Sequence, residues 1–199
     1  MTKAAPRFTR LPAADRRLAL IEAALACMAE GGITAFTVDR VCTKAQVSRG
    51  LITHHFGGMA GLLTAVYVKI YAQAIPNVED FPIGDARLAA LLDGLFNPAQ
   101  FNRPALNIWL TLWGEISNTP ELAAEHRRQY AAYLAMVTAT LAAAAQAEGR
   151  EVAAGTLAKS LICLVDGLGL QHCIDPGSMP AALARQACVD LLTPHLGPL

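Results

Sequence analysis

Apolar and polar positions follow a helical period along nearly the whole chain, and no run of strict alternation predicts a strand. Leu18, Ile21, Leu25 and Met28 recur three and four residues apart, which predicts a first helix that starts at Pro12 and stops at Gly31-Gly32. Asp15 falls in its first turn, where an acid complements the helix dipole. Thr37 is a good N-cap for a second, short helix from Val38 to about Lys44. Ala45-Gln46-Val47 then separates it from a third helix, expected to be capped by Ser48 and to end at Phe56 before Gly57-Gly58. Two short helices joined by so tight a turn predict a helix-turn-helix.

A fourth helix is expected from about Met59 to Ile75, with Leu62, Leu63, Val66, Tyr67 and Ile70 along one side. The Pro- and acid-containing stretch "PNVEDFPIGD" (76–85) interrupts the pattern. Beyond it, helical stretches are expected at about 85–96, 100–118, 121–148, 152–173 and 179–193. The predicted fold is all-α. Residues 1–58 are expected to form a basic arm and a three-helix unit holding the helix-turn-helix, 59–75 a connecting helix, and 76–199 a helical body.

Composition sharpens this picture. Hydrophobic residues make up 54% of the 199 and charged residues 16%, which excludes a disordered chain and predicts surface buried between subunits. The net charge is zero, but residues 1–74 hold nine Lys/Arg against four acids, and residues 75–199 seven against twelve. The balance is therefore +5 followed by −5, so a polyanion partner suits the first part alone. The five cysteines are widely spaced without a CxxC, as expected for reduced core thiols. The opening residues lack the apolar core of a secretory signal, so the expected location is the cytoplasm. The uncharged run Gln129–Ala147 is Ala-rich with several polar residues, and reads as a bundle helix rather than a membrane span.

The candidate chemistry lies in "VSRGLITHHF" (47–56). A first turn of Ser48-Arg49-Gly50 offers backbone N–H groups and a cation to a phosphate. Ile52 and Phe56, four apart, can anchor one face in the core, leaving Arg49, Thr53, His54 and His55 for a groove. Adjacent histidines point about 100° apart on a helix, which disfavours chelation of one metal ion. Imidazoles can instead donate to phosphates or base edges. If they do, affinity for DNA rises as pH falls through about 6.5.

The stretch "LIEAALACMAEGGITAFTVDRVCTKAQVSRGLITHHFGGMAGLLTAVY" resembles the DNA-binding domain of TetR-type transcriptional repressors. The features that match are the glycine after the first helix, Thr37, Ala45-x-Val47-Ser48-x-Gly50, Phe56 and Gly61-Leu62-Leu63. "WLTLWGEISNTPEL" (109–122) and "LVDGLGLQ" (164–171) resemble the choline-responsive BetI branch. The resemblance implies a homodimeric repressor on a palindromic operator, with recognition helices about 34–36 Å or slightly more apart. It implies DNA contacts from Ser48, Arg49, Gly50, Thr53, His54 and His55, a phosphate held at Thr37, and Leu51 on a thymine methyl or the backbone. The family's usual lysine after the helix-ending aromatic is missing from "GGMAG" (57–61). Arg7, Arg10, Arg16 and Arg17 are candidates to compensate for it.

The resemblance also implies that 76–199 senses a small-molecule inducer and dimerises. The candidate lining is Phe96, Phe101, Trp109, Trp113, Glu115, Tyr130, Tyr133, Met136 and Asp166, with Asn118 and His172 as further polar candidates. Trp109 and Trp113 plus an acid can cage a quaternary ammonium such as choline, although Trp at i, i+4 equally suits core packing. The last two helices would form the dimer seam through Leu157, Leu161, Leu164, Leu168, Leu183 and Leu191. No GxSxG, P-loop, HExxH or GxGxxG occurs, so no enzyme, cofactor or metal site is expected. A redox- or metal-responsive regulator of the same fold, using Cys163, Cys173 and Cys188, is the rival reading.

Overall fold

A computed structural model describes residues 12–75, 81–82 and 85–198. The described residues form nine helices and no strand: α1 (Ala13–Ala35), α2 (Val38–Ala45), α3 (Gly50–Phe56), α4 (Met59–Ala74), α5 (Asp85–Leu95), α6 (Arg103–Ile116), α7 (Pro120–Ala147), α8 (Ala154–Ile174) and α9 (Ala181–Leu196). The arm that carries Arg7 and Arg10, and most of the 76–85 break, lie outside the described residues.

Local chemistry accounts for the boundaries. Gly31 and Gly32 leave helical geometry inside α1, Gly32 at φ 59°, so the predicted stop appears as a sharp kink with one more turn beyond it. The Thr37 side chain accepts a hydrogen bond from the Arg40 N–H at 3.4 Å, as an N-cap does. Gln46 closes α2 in the left-handed region at φ 55°, a place where glycine would be usual. Ser48 does not cap α3 with its side chain: the N-cap position is Arg49, and only the Ser48 carbonyl serves, accepting from Leu51 N–H at 3.1 Å. Gly57, at φ 75°, ends α3, and α4 leaves it at a 62° bend.

Two cores result. The first joins Leu20, Met28, Val41, Ile52, Leu62, Val66 and Tyr67 of α1–α4 to Ile108 and Leu112 of α6 and Leu122 of α7. The second joins Leu88 and Leu92 of α5 to Val137 and Leu141 of α7, Leu161 of α8 and Leu192 of α9. The DNA-binding unit thus shares its core with the body through α4 and α6, and α6 packs more extensively on α1 than any other two helices pack together. Asn107 of α6 donates to the Met28 carbonyl at 3.0 Å and the Ala29 carbonyl at 3.4 Å, just before the kink in α1. By length and composition α1, α7 and α8 are apolar enough to cross a membrane; here they are members of a packed bundle.

Candidate DNA interface and effector cavity

Arg49, Gly50, Thr53 and His54 are exposed on one side of the helix-turn-helix, and Gly50 faces open space. The Arg49 guanidinium forms an ion pair with Asp39 of α2, Nη2 to Oδ1 at 2.7 Å. Two of the predicted contacts are turned inward. Leu51 is half-buried against the first core, so packing claims much of the side chain expected on a thymine methyl. His55 is half-buried, its Nε2 enclosed without a hydrogen-bond partner, and its ring meets Phe56 edge-on at 6.2 Å. Desolvation first, then His54, Arg16 and Arg17, hold its pKa below the usual histidine value. Any pH response from His55 therefore starts below 6.5, which corrects the value expected from the sequence.

The bases of this unit are not equally available. Lys44 pairs with Glu30 at 2.6 Å, Arg40 lies 3.9 Å from the same carboxylate, and Lys69 pairs with Glu22 at 2.7 Å. The Lys44 hydrogen bond holds the Glu30 carboxyl below the usual carboxylate range. Arg16 and Arg17 make no ion pair among the described residues, and the Arg17 guanidinium lies 5.0 Å over the Phe56 ring at the end of α3. Among the described residues of this unit, the cations left without an acid thus sit where α1 meets the end of α3, next to Gly57-Gly58.

In the body, α4, α6, α7 and α8 enclose a cavity of about 420 Å³. Of the predicted lining, Phe101, Trp109, Trp113, Tyr130, Tyr133 and Asp166 border it. Phe96, Glu115 and Met136 do not. Phe96 and Met136 pack in or on the second core, and Glu115 points off the Trp109–Trp113 face of α6. Asn118 and His172 also lie outside the lining; Asn118 donates to the Gly114 carbonyl, and the His172 Nδ1 bonds the Met179 carbonyl at 2.8 Å.

Sequence reasoning missed Tyr67, Tyr71 and His126 as lining residues. The sequence places Tyr67 only along the apolar side of the fourth helix, and His126 is hidden in the polar run "EHRRQY". The available signal was spacing: Tyr67 and Tyr71 are four apart on α4, as His126 and Tyr130 are on α7. The Tyr67 hydroxyl and His126 Nδ1 share a 2.8 Å hydrogen bond. Trp109 meets Tyr67 and Tyr71 edge-on at 6.1 and 5.6 Å, and lies 5.9 Å from Trp113. Burial raises the tyrosine pKa values and lowers that of His126, so these groups are neutral near pH 7. Among the described lining residues Asp166 is the one acid, and there is no Lys or Arg. Asp166 keeps accessible surface, but surrounding protein desolvates its carboxyl and raises its pKa to about 6.

The predicted dimer seam divides. Leu157, Leu161 and Leu168 are buried inside the protomer's second core and are unavailable to a partner, because they sit on the inner face of α8. Leu164 and Leu191 are half-buried, and Leu183 is 49% exposed. The outer face of α8 instead presents Cys163, Gly167, Leu170 and Ile174. Cys27, Cys42, Cys173 and Cys188 are buried free thiols.

A family profile described as "BetI-type transcriptional repressor, C-terminal" matches residues 84–197, and one described as "Bacterial regulatory proteins, tetR family" matches residues 20–66. HTH-type transcriptional regulator BetI 2 of Chromohalobacter salexigens is 32% identical over 92% of this chain and 90% of its own length. BetI of Serratia proteamaculans is 31% identical over 89% and 91%. A transcriptional regulator from Pseudomonas aeruginosa superposes with a TM-score of 0.81 at 29% identity, covering 94% of this chain and 93% of that one. A regulator from Saccharomonospora viridis, solved in complex with choline, shares the fold at a TM-score of 0.78 and 20% identity, over 90% and 96% of the two chains. With its helix-turn-helix and its helical body both matched, the chain belongs to the TetR family of DNA-binding transcriptional regulators, in the group with a BetI-type C-terminal domain.

Proposed function

We propose that the protein is a cytoplasmic homodimeric repressor that holds a palindromic operator and releases it when a small organic cation enters the cavity. The observation that carries this reading is the lining itself. Seven Phe, Tyr and Trp rings (Tyr67, Tyr71, Phe101, Trp109, Trp113, Tyr130 and Tyr133) and one acid border a space of about 420 Å³, with no Lys or Arg among the described lining residues. Ring faces attract a cation by roughly 0.5–2 kcal/mol each, most strongly where water is excluded. Asp166 adds a counter-charge. A choline-like quaternary ammonium fits this chemistry, and the choline found in the Saccharomonospora viridis regulator supports it. The effector is bound rather than transformed.

The route from cavity to DNA runs through helices that serve both. Tyr67 and Tyr71 line the cavity from α4, whose Leu62 and Val66 lie in the DNA-binding core. Trp109 lines it from α6, two residues from the Asn107 that holds α1. A ligand that moves either helix shifts the spacing of the recognition helices, provided it prefers one of the two states. In the operator complex Arg49, Thr53 and His54 reach into the groove while Thr37, Ser48 and Gly50 meet the backbone.

The experiment is a fluorescence-anisotropy titration of DNA from upstream of the protein's own gene, with choline and with an uncharged isostere of choline. Choline is expected to release the DNA and to quench tryptophan fluorescence, and the isostere to do neither. Equal release by both compounds, or by neither, sinks the cation reading. Failure to bind any upstream or library-selected duplex sinks the repressor reading.

A further inference from the structure

We propose that Asp39 is a specificity-determining residue of the DNA interface, which acts by orienting the Arg49 guanidinium toward base edges. Asp39 is the second residue of α2 and Arg49 the N-cap residue of α3, so their 2.7 Å ion pair bridges the two helices of the motif. Both side chains are mostly exposed, and with Cys42, Thr43, Gln46, Val47 and Ser48 they wall a groove at the turn. The other ion pairs of this unit join Arg40, Lys44 and Lys69 to Glu30 and Glu22 of α1. Those tie bases down onto the first helix. The Asp39–Arg49 pair alone among them lies within the reading motif.

An acid here would ordinarily harm DNA binding, because it faces phosphates. Nor does an exposed pair contribute much to folding. What it does supply is direction. Arginine carries five N–H donors on a long, mobile stem, and the Asp39 carboxylate draws Nη2 to 2.7 Å as an ion pair, which narrows the positions the guanidinium takes. A fork fixed in this way can meet guanine O6 and N7 with less ordering to do on binding. Exclusion of water by the DNA then strengthens the pair where it is weak in free solution. Asp39 is a positioning residue, and the inference rests on the reading that α3 lies in the major groove.

The test uses the full-length protein and a duplex enriched from a randomised library by the wild type. Affinities for that duplex, for its single-base variants and for a random duplex are measured at one salt concentration for Asp39→Ala, Asp39→Asn, Arg49→Ala and the double variant. Asp39→Ala is expected to lower the selected-to-random ratio at least about five-fold, with random-duplex affinity held or raised. Preference should flatten at the same base position in Asp39→Ala and Arg49→Ala, and no further in the double variant. Asp39→Asn, which keeps an acceptor, should fall between. If Asp39→Ala weakens both duplexes by one factor, with a lower melting temperature, the residue is merely structural and the proposal is overturned. If Arg49→Ala flattens the profile while Asp39→Ala leaves it intact, the proposal fails and the groove reading stands. If Arg49→Ala leaves the profile unchanged, both fail.

Discussion

At the scale of the residue, Asp166 carries the sharpest pH dependence. Desolvation of the carboxyl by surrounding protein raises its pKa from 3.8 to about 6, although the residue keeps accessible surface. The shift is upward, so the folded protein binds the proton more tightly than the unfolded chain does. The associated stability is present at low pH and is lost as pH rises through about 6. A cationic ligand has the opposite preference, since it needs the carboxylate. Its affinity should therefore fall up to about ten-fold per pH unit below 6 and level off above it. His126 lies in the same cavity with a lowered pKa, and its protonation would also repel a cation. Asp166→Asn separates the two. Calorimetric titration of choline between pH 5 and 8 should lose most of its slope in that variant, and whatever slope remains belongs to His126. A wild-type affinity flat across that range would remove Asp166 from the site.

At the scale of the element, the α3–α4 joint shows how a local rule can reverse. Alanine normally stabilises a helix over glycine by about 1 kcal/mol. Gly61 is the third residue of α4, yet a Cβ there would collide with the Phe56 carbonyl oxygen at the end of α3. Backbone cannot swing aside as a flexible side chain can. Overpacking of this kind costs about 1–3 kcal/mol and outweighs the propensity gain. Gly61→Ala should lower the melting temperature by about 2–4 °C per kcal/mol lost. It should weaken operator binding further, because opening the 62° bend re-aims α3. A variant with unchanged melting temperature and DNA affinity would show that the joint relaxes freely. The glycine was visible in the sequence as part of a motif, but its reason was not, because the carbonyl it accommodates belongs to another helix.

At the scale of the molecule, legibility followed the range of the interactions. Helix order, the tight turn and the glycine stops were readable because period and capping are local. Six of the nine predicted cavity residues border the cavity. Tyr67, Tyr71 and His126 were missed because only the packing of α4 against α6 and α7 brings them together. The predicted seam divides for a related reason. Leu157, Leu161 and Leu168 carry the right side chain and the right spacing, but periodicity does not tell a face turned to the protomer's own core from one turned to a second copy.

Exposure now separates those faces. Ile174 is 67% exposed, Leu183 49% and Leu170 38%, on two neighbouring helices of the body. Apolar residues this exposed on adjacent elements are what an isologous interface uses, since a two-fold axis doubles each contact. A stable interface needs roughly 1,200–2,000 Å² in total, which calls for α8 and α9 together. Leu170 is on the outer face of α8, where in the proposed dimer a charge would be buried twice over, once from each subunit. Leu170→Glu, alone and with Ile174→Glu, should convert the proposed dimer to a monomer by light scattering while leaving the helical circular-dichroism signal and choline binding unchanged. Operator affinity should fall by orders of magnitude, because a monomer reaches one half-site and loses the effective concentration that a dimer gives the second. A charged variant that stays dimeric and still binds operator would place the seam on another face of the bundle.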